Sequence, residues 1–197
     1  MKANELNKIN KLYFSYQDVA RVLNISEKAA TVTCARYVRS GILIRLKRNL
    51  YIMEQKWNYL TSSEIYEISN ILQVPSYISL VTALSYYEYT TQIQQNFYES
   101  IVLKRTMSLE ILESVFNYSK IKKEFYFGFK KKEKFFIAEP EKALIDALYL
   151  QYLGRYKLDL SAISLEKFDF VKIEEFLVTF PVFFKLYLKR KIKNEKT

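Results

Sequence analysis

The chain has 197 residues, half of them apolar, with 3 glycines and 3 prolines, enough to fill one good core or two small ones and too little breaker content for long linkers. It has no histidine and a single cysteine, Cys34, which excludes Ser-His-Asp and Cys-His nucleophiles, histidine metal sites and an internal disulfide framework. The formal net charge is +10, and residues 1–56 hold most of the excess, with 11 Lys and Arg against 4 Asp and Glu, whereas residues 57–197 carry 20 and 17; positive charge so concentrated attracts polyanions, above all nucleic acid.

Residues 4–11 predict a short helix and 12–14 a brief extended piece. In SYQDVARVLN, Ser15 predicts an N-cap and Asp18, three residues on, suits the positive helix end; Val19, Val22 and Leu23 form the apolar stripe. Asn24 and Ile25 make a turn. Ser26 is a second N-cap, EKAATVTCARYVRS a second helix, and Gly41 its stop. Two short helices joined by a tight turn are a helix-turn-helix pattern.

The second helix sorts by face. Ala30, Cys34, Tyr37 and Gly41 recur at spacings of four, three and four and define the inner side. Cys34 there reads as a small apolar filler rather than a thiol switch. Lys28, Val32, Ala35, Arg36 and Arg39 lie outward, with Thr31 at the margin and no acid among them. Small side chains let a helix approach a major groove, arginine donates a bidentate pair to guanine, and threonine meets a thymine methyl or a phosphate. Next comes GILIRLKRNLYIM at 41–53, where Ile42, Ile44 and Leu46 alternate with Leu43, Arg45 and Lys47, and Leu50 and Ile52 repeat the pattern. Period two predicts a half-buried hairpin with one apolar side inward and Arg45, Lys47 and Arg48 at its outer side and tip; Asn49 tolerates the positive φ of the turn. A basic hairpin after a helix-turn-helix makes the unit winged.

Beyond 56, Thr61 and Glu64 form a capping-box pattern opening a helix to about Leu72, and Pro75 ends it. A helix is expected over 79–89, extended chain over 97–105, and a strand pair at 125–129 and 134–137 around KKKEK. AEPEKALIDALYLQYL reads as a strong helix, with Pro140 in its first turn, acids Glu139 and Glu141 at the positive end, and Ala143, Leu144, Ala147, Leu148 and Leu150 as its apolar side. Lys142 and Asp146, four apart, are expected to pair on a helix face. Two further helices are expected near 166–179 and 182–193. Lys130, Lys131 and Lys132 read as a solvated hairpin tip, and the basic LYLKRKIKNEK as a helix end complementing its dipole. Glu139, Glu141 and Asp146 do not assemble a catalytic constellation, so no enzyme, metal or cofactor is expected. No apolar run approaches bilayer length, and MKANELNKINKLYF lacks a signal-peptide block, so a soluble, cytoplasmic protein without membrane contact is expected. The expected fold is α+β: a winged helix-turn-helix over 1–56, then a mixed α+β domain over 57–197.

The stretch YFSYQDVARVLNISEKAATVTCARYVRSGILIRLKRNLYIM resembles the N-terminal winged helix of the AbiEi family, antitoxins of type IV toxin–antitoxin systems linked to abortive phage infection; PSYISLVTALSYYEYT and FIAEPEKALIDALYL resemble parts of the same family's C-terminal antitoxin domain. The resemblance implies an autorepressor of inverted repeats in its own promoter, and a C-terminal domain that counteracts a nucleotidyltransferase-like toxin without a stable complex. It places double-stranded DNA contact on Lys28, Thr31, Arg36 and Arg39 in the helix and on Arg45, Lys47 and Arg48 in the wing. Family wings often carry Gly just before the Leu/Val-Tyr pair; this chain has Asn49 there, which implies a stiffer wing. The alternative is a regulator whose C-terminal domain is a protein-interaction module without antitoxin activity. Monomer and dimer both remain open.

Overall fold

The computed structural model describes residues 2–195 and divides into two compact units, 2–65 and 66–195. Lys196, the last lysine of the C-terminal basic run, lies outside the described residues.

The first unit opens with a 3₁₀ helix, Lys2–Lys8, where a short helix over 4–11 is expected from the sequence. Helix α1 (Tyr16–Leu23) starts at a full capping box: Ser15 Oγ accepts from Asp18 N, and Asp18 Oδ2 accepts from Ser15 N at 3.0 Å. Asn24 ends it in the left-handed conformation. Helix α2 (Glu27–Arg39) is capped by Ser26, whose Oγ accepts from Ala29 N at 3.2 Å. Gly41, at φ +70°, turns the chain away; it is exposed just past the helix, so the inner face consists of Ala30, Cys34 and Tyr37. Strands β1 (Leu43–Lys47) and β2 (Leu50–Met53) form an antiparallel hairpin, and a short helix α3 (Glu54–Trp57) follows.

The hairpin differs from the expected one-sided ribbon. Leu43, Tyr51 and Met53 join the core made by Leu6, Phe14, Val19, Leu23, Ala30, Cys34 and Tyr37, yet Ile44, Leu46 and Ile52 on the other face are buried too. A bulge interrupts the ladder near the tip: Arg45 pairs with Tyr51 and Lys47 with Leu50, leaving Leu46 as the extra residue on its strand; Arg45, Lys47 and Arg48 stay exposed. The unit also runs past residue 56, because Trp57 is buried and Lys56 Nζ donates to Lys11 O at 3.1 Å. The division between units falls within α4 (Ser62–Leu72), which begins at the capping box of Thr61 and Glu64.

The second unit is built on a mixed six-stranded sheet. Its strands are β3 (Ser76–Ile78), β4 (Phe97–Val102), β5 (Met107–Ile111), β6 (Ser114–Lys120), β7 (Phe129–Lys132) and β8 (Phe135–Ala138), in the order β5-β6-β4-β3-β8-β7. β4 runs parallel to β6, and β3 to β8; the other neighbours are antiparallel. The helices are α5 (Leu80–Tyr86), α6 (Pro140–Tyr152), α7 (Phe170–Leu177) and α8 (Val182–Glu195), and α6 packs against α5, α7 and α8. Strand β7 begins at Phe129, not 125; Lys123–Phe125 is a 3₁₀ turn. Lys130, Lys131 and Lys132 lie along β7 rather than at a tip. β7 is the last strand of the sheet, and exposed lysines on such an edge discourage pairing with another chain.

The largest departure concerns α6. It is buried on every side from Glu141 to Leu150. The pair of Lys142 and Asp146 forms, but inside the core, with both side chains essentially inaccessible. Lys142 Nζ donates to Asp146 Oδ1 and, at 3.0 Å, to Tyr77 Oη; Tyr77 Oη and Ser79 Oγ each donate to Asp146 Oδ2 at 2.9 Å. The Phe127 and Tyr77 rings face the ammonium at 5.3 and 5.6 Å. The lysine stem fits only because residue 128 is glycine: a Cβ there stands 2.9 Å from Lys142 Cγ, at φ +70°. Gly128→Ala is therefore expected to cost about 2–3 kcal/mol, combining left-handed strain with overpacking; urea titration followed by circular dichroism measures it, and a loss below about 0.5 kcal/mol would refute this account of the glycine.

Glu99 on β4 is a second buried carboxylate. Ser79 N donates to its backbone oxygen at 3.0 Å, and its carboxylate accepts from Gln94, Tyr156 and the N–H groups of Val81 and Thr82 in the first turn of α5. Burial raises its carboxyl above the ordinary value despite these bonds. It serves as the N-terminal partner of a helix that starts at Leu80 with φ +55°.

Candidate nucleic-acid interface

Six of the expected contact residues present themselves openly, and so does Lys47. Lys28, Thr31, Arg36 and Arg39 are exposed on α2 with Val32 and Ala35 between them; Arg45, Lys47 and Arg48 are exposed on the hairpin. The local reason is periodicity. Ala30, Cys34 and Tyr37 are drawn into the core, so the opposite stripe of α2 must face solvent. Burial pushes the Cys34 thiol up to about 11, so it stays protonated at neutral pH and acts as filler.

Each outward group has a defined state. Thr31 Oγ1 donates to Glu27 O at 3.0 Å, which turns its hydroxyl proton toward the helix backbone. The Arg36 guanidinium stands 5.4 Å over the Tyr37 ring, and Arg39 Nε lies 3.5 Å from Ala35 O. Among the described residues, Lys28, Arg36, Arg39, Arg45 and Arg48 form no ion pair. Two of the unit's acids are engaged elsewhere: Glu5 with Lys8, and Asp18 with Lys11 at 2.6 Å and Arg21 at 3.8 Å. Burial pulls the Asp18 carboxyl upward, but the bonds from Lys11 and from Ser15 outweigh it and hold it below the usual range. The arginines on α2 and at the hairpin thus keep their charge for an external anion. Beside this stripe, Leu23, Ile25, Ala29, Tyr37 and Ile42 line a groove of about 540 Å³ on one flank of α2, with Arg36 on its border.

The tip of the hairpin is tied down in a way that residue types alone did not reveal. Phe14 and Tyr51 exchange two backbone bonds at 2.8 Å, anchoring β2 beside the start of α1. Beyond that anchor, Asn49 sits in the turn at φ +55°. Its Oδ1 accepts from Tyr16 N at 2.9 Å, and its Nδ2 donates to Gln17 Oε1 at 3.0 Å. The only local clue was an asparagine at a left-handed position where glycine also serves.

The remaining basic and acidic candidates do not join this surface. Lys130 pairs with Glu139 at 3.1 Å, and Lys172 pairs with Glu139 and Glu141 at 2.8 and 3.1 Å. These two lysines hold the Glu139 carboxyl below the usual range against the opposing effect of burial. Among the described residues no group of three or more Cys, Asp or Glu could hold a metal ion, and no helix is long and apolar enough to cross a membrane.

No curated protein matches the chain. Residues 1–53 match the family model described as a transcriptional regulator, the AbiEi antitoxin. The matched segment contains both helices, the turn between them, the hairpin and all seven outward residues; it does not extend to 75–90 or 136–150, where the family resemblance of the second unit was read. Over residues 1–53, the first unit is therefore similar to the AbiEi antitoxin transcriptional regulators.

Proposed function

We propose that this protein is the antitoxin of a type IV toxin–antitoxin system and represses its own promoter by binding inverted-repeat DNA. In this reading the first unit is a winged helix-turn-helix. Helix α2 enters the major groove, where Arg36 and Arg39 reach base edges and Lys28 and Thr31 reach phosphates or a thymine methyl; Arg45, Lys47 and Arg48 lie along the backbone. The observation that carries the reading is the acid-free, outward stripe of α2 together with three exposed cations on the hairpin of the same compact unit. The second unit opposes a nucleotidyltransferase-like toxin in the cytoplasm without a stable complex. In this reading it does so without catalysis, which is supported by the absence of histidine from the sequence and by the lysines that engage Glu139, Glu141 and Asp146. A gel shift with the DNA upstream of the protein's own reading frame tests the first half. Retardation at low salt that weakens steeply as salt rises is expected, because bound phosphates release counterions; absence of any shift at low salt overturns it.

One observation favours a second reading, in which the second unit is a protein-interaction module. Phe183 is 76% exposed, and Val182 and Leu186 share its face of α8, an apolar surface of the kind that protein partners cover. Co-purification of a stable complex with the product of the adjacent gene supports this reading over action without a complex.

A further inference from the structure

We propose that Asn49 is the positioning residue of the hairpin tip, clamping the tip to the first turn of α1 so that Lys47 and Arg48 are held ready for the DNA backbone. The inference rests on the DNA-binding reading above. Three observations converge on it. Asn49 occupies the positive-φ site of the turn, one residue from Arg48 and two from Lys47. Both ends of its amide are engaged across more than thirty residues of sequence, one by the Tyr16 N–H and the other by Gln17 Oε1. Strand β2 is anchored beside α1 at Tyr51, through its bonds to Phe14. From that anchor the chain runs through Leu50 and Asn49 to Arg48 and Lys47, and the bulge at Leu46, where ladder bonding is interrupted, lies on their far side. A glycine at 49 makes the same turn but neither side-chain bond, which removes the tip's tie to Tyr16 and Gln17. Long cationic side chains contact phosphates with less ordering cost when the backbone beneath them is already fixed. The bond to Tyr16 has a second effect: it satisfies one of the N–H groups that open α1, so the clamp joins the hairpin to the helix-turn-helix itself.

Asn49→Gly is the test, because glycine accepts the left-handed backbone and the unit still folds. Affinity for the promoter fragment is expected to fall about 5- to 50-fold, the loss of two hydrogen bonds' worth of order. The slope of log K against log salt should become shallower by about one to two, as phosphate contacts are given up. In a Lys47→Ala/Arg48→Ala background the same change should cost nothing further, since Asn49 acts through those cations; losses that simply add would overturn the proposal. Amide hydrogen exchange at Tyr16 reads the clamp without DNA: it should accelerate in Asn49→Gly, and unchanged exchange overturns the clamp whatever the gel shows. Failure of the unaltered protein to bind its promoter sinks the repressor reading instead, and the exchange measurement still decides the clamp.

Discussion

Lys142→Met is expected to destabilise the second unit by about 3–5 kcal/mol, lowering its melting temperature by roughly 10–20 °C. Methionine fills the space of the lysine stem, so the loss is electrostatic rather than a cavity. Asp146 keeps its bonds from Tyr77 and Ser79 on Oδ2 but loses the ammonium on Oδ1, leaving a fully buried carboxylate uncompensated. In the native protein, burial raises the Asp146 carboxyl above its ordinary value and lowers the Lys142 ammonium, each against the pull of the other. Without Lys142 the carboxyl rises further. The folded state then binds a proton that the unfolded chain, with an Asp pKa near 3.9, has already released. Stability is therefore lost as pH rises from that value through the raised folded value, and the variant's deficit should be smaller at pH 5 than at pH 8. Adding Asp146→Asn should recover most of the loss, since no unpaired buried charge remains. Melting curves of the three proteins at several pH values settle the matter: a deficit independent of pH, or a double variant no better than the single, would refute the charge account.

Arg36→Ala and Arg39→Ala are each expected to cost about 1–3 kcal/mol of discrimination between promoter and unrelated DNA, whereas Lys47→Ala and Arg48→Ala weaken both DNAs alike and together reduce the salt slope by about two. The contrast follows from place. Arg36 and Arg39 project from a helix whose neighbouring outward residues, Val32 and Ala35, are small enough for groove entry; Lys47 and Arg48 project from a hairpin tip. Fluorescence anisotropy with both DNAs over a salt series separates the two effects. Equal loss of preference from both sets would overturn this division of roles.

How much of this was legible in the chain depends on how far each determinant reaches. Helix starts at Ser15, Ser26 and Thr61 are decided by side chains three residues from the backbone they cap, and the structure has each of them. The outward stripe of α2 was legible for the same reason, since one helical period sorts Lys28, Arg36 and Arg39 from Ala30, Cys34 and Tyr37. The β5–β6 hairpin escaped notice because its turn carries no glycine or asparagine; Leu112 takes the positive φ at +52°. Strand β3 is three residues long and exists only because β4 and β8 flank it.

The sequence by itself determined the local elements of the first unit, its charge and the faces on which that charge stands, because those follow from neighbours within a turn or two. Tertiary structure alone decided that Lys142 and Asp146 face a core instead of water, that the Glu99 carboxylate accepts from the first turn of α5, and that Asn49 fastens a hairpin tip to α1. A side chain's spacing tells which of its near neighbours it can reach. Whether it is solvated, buried or bonded across the fold depends on which distant segments close over it, and only the packed chain settles that.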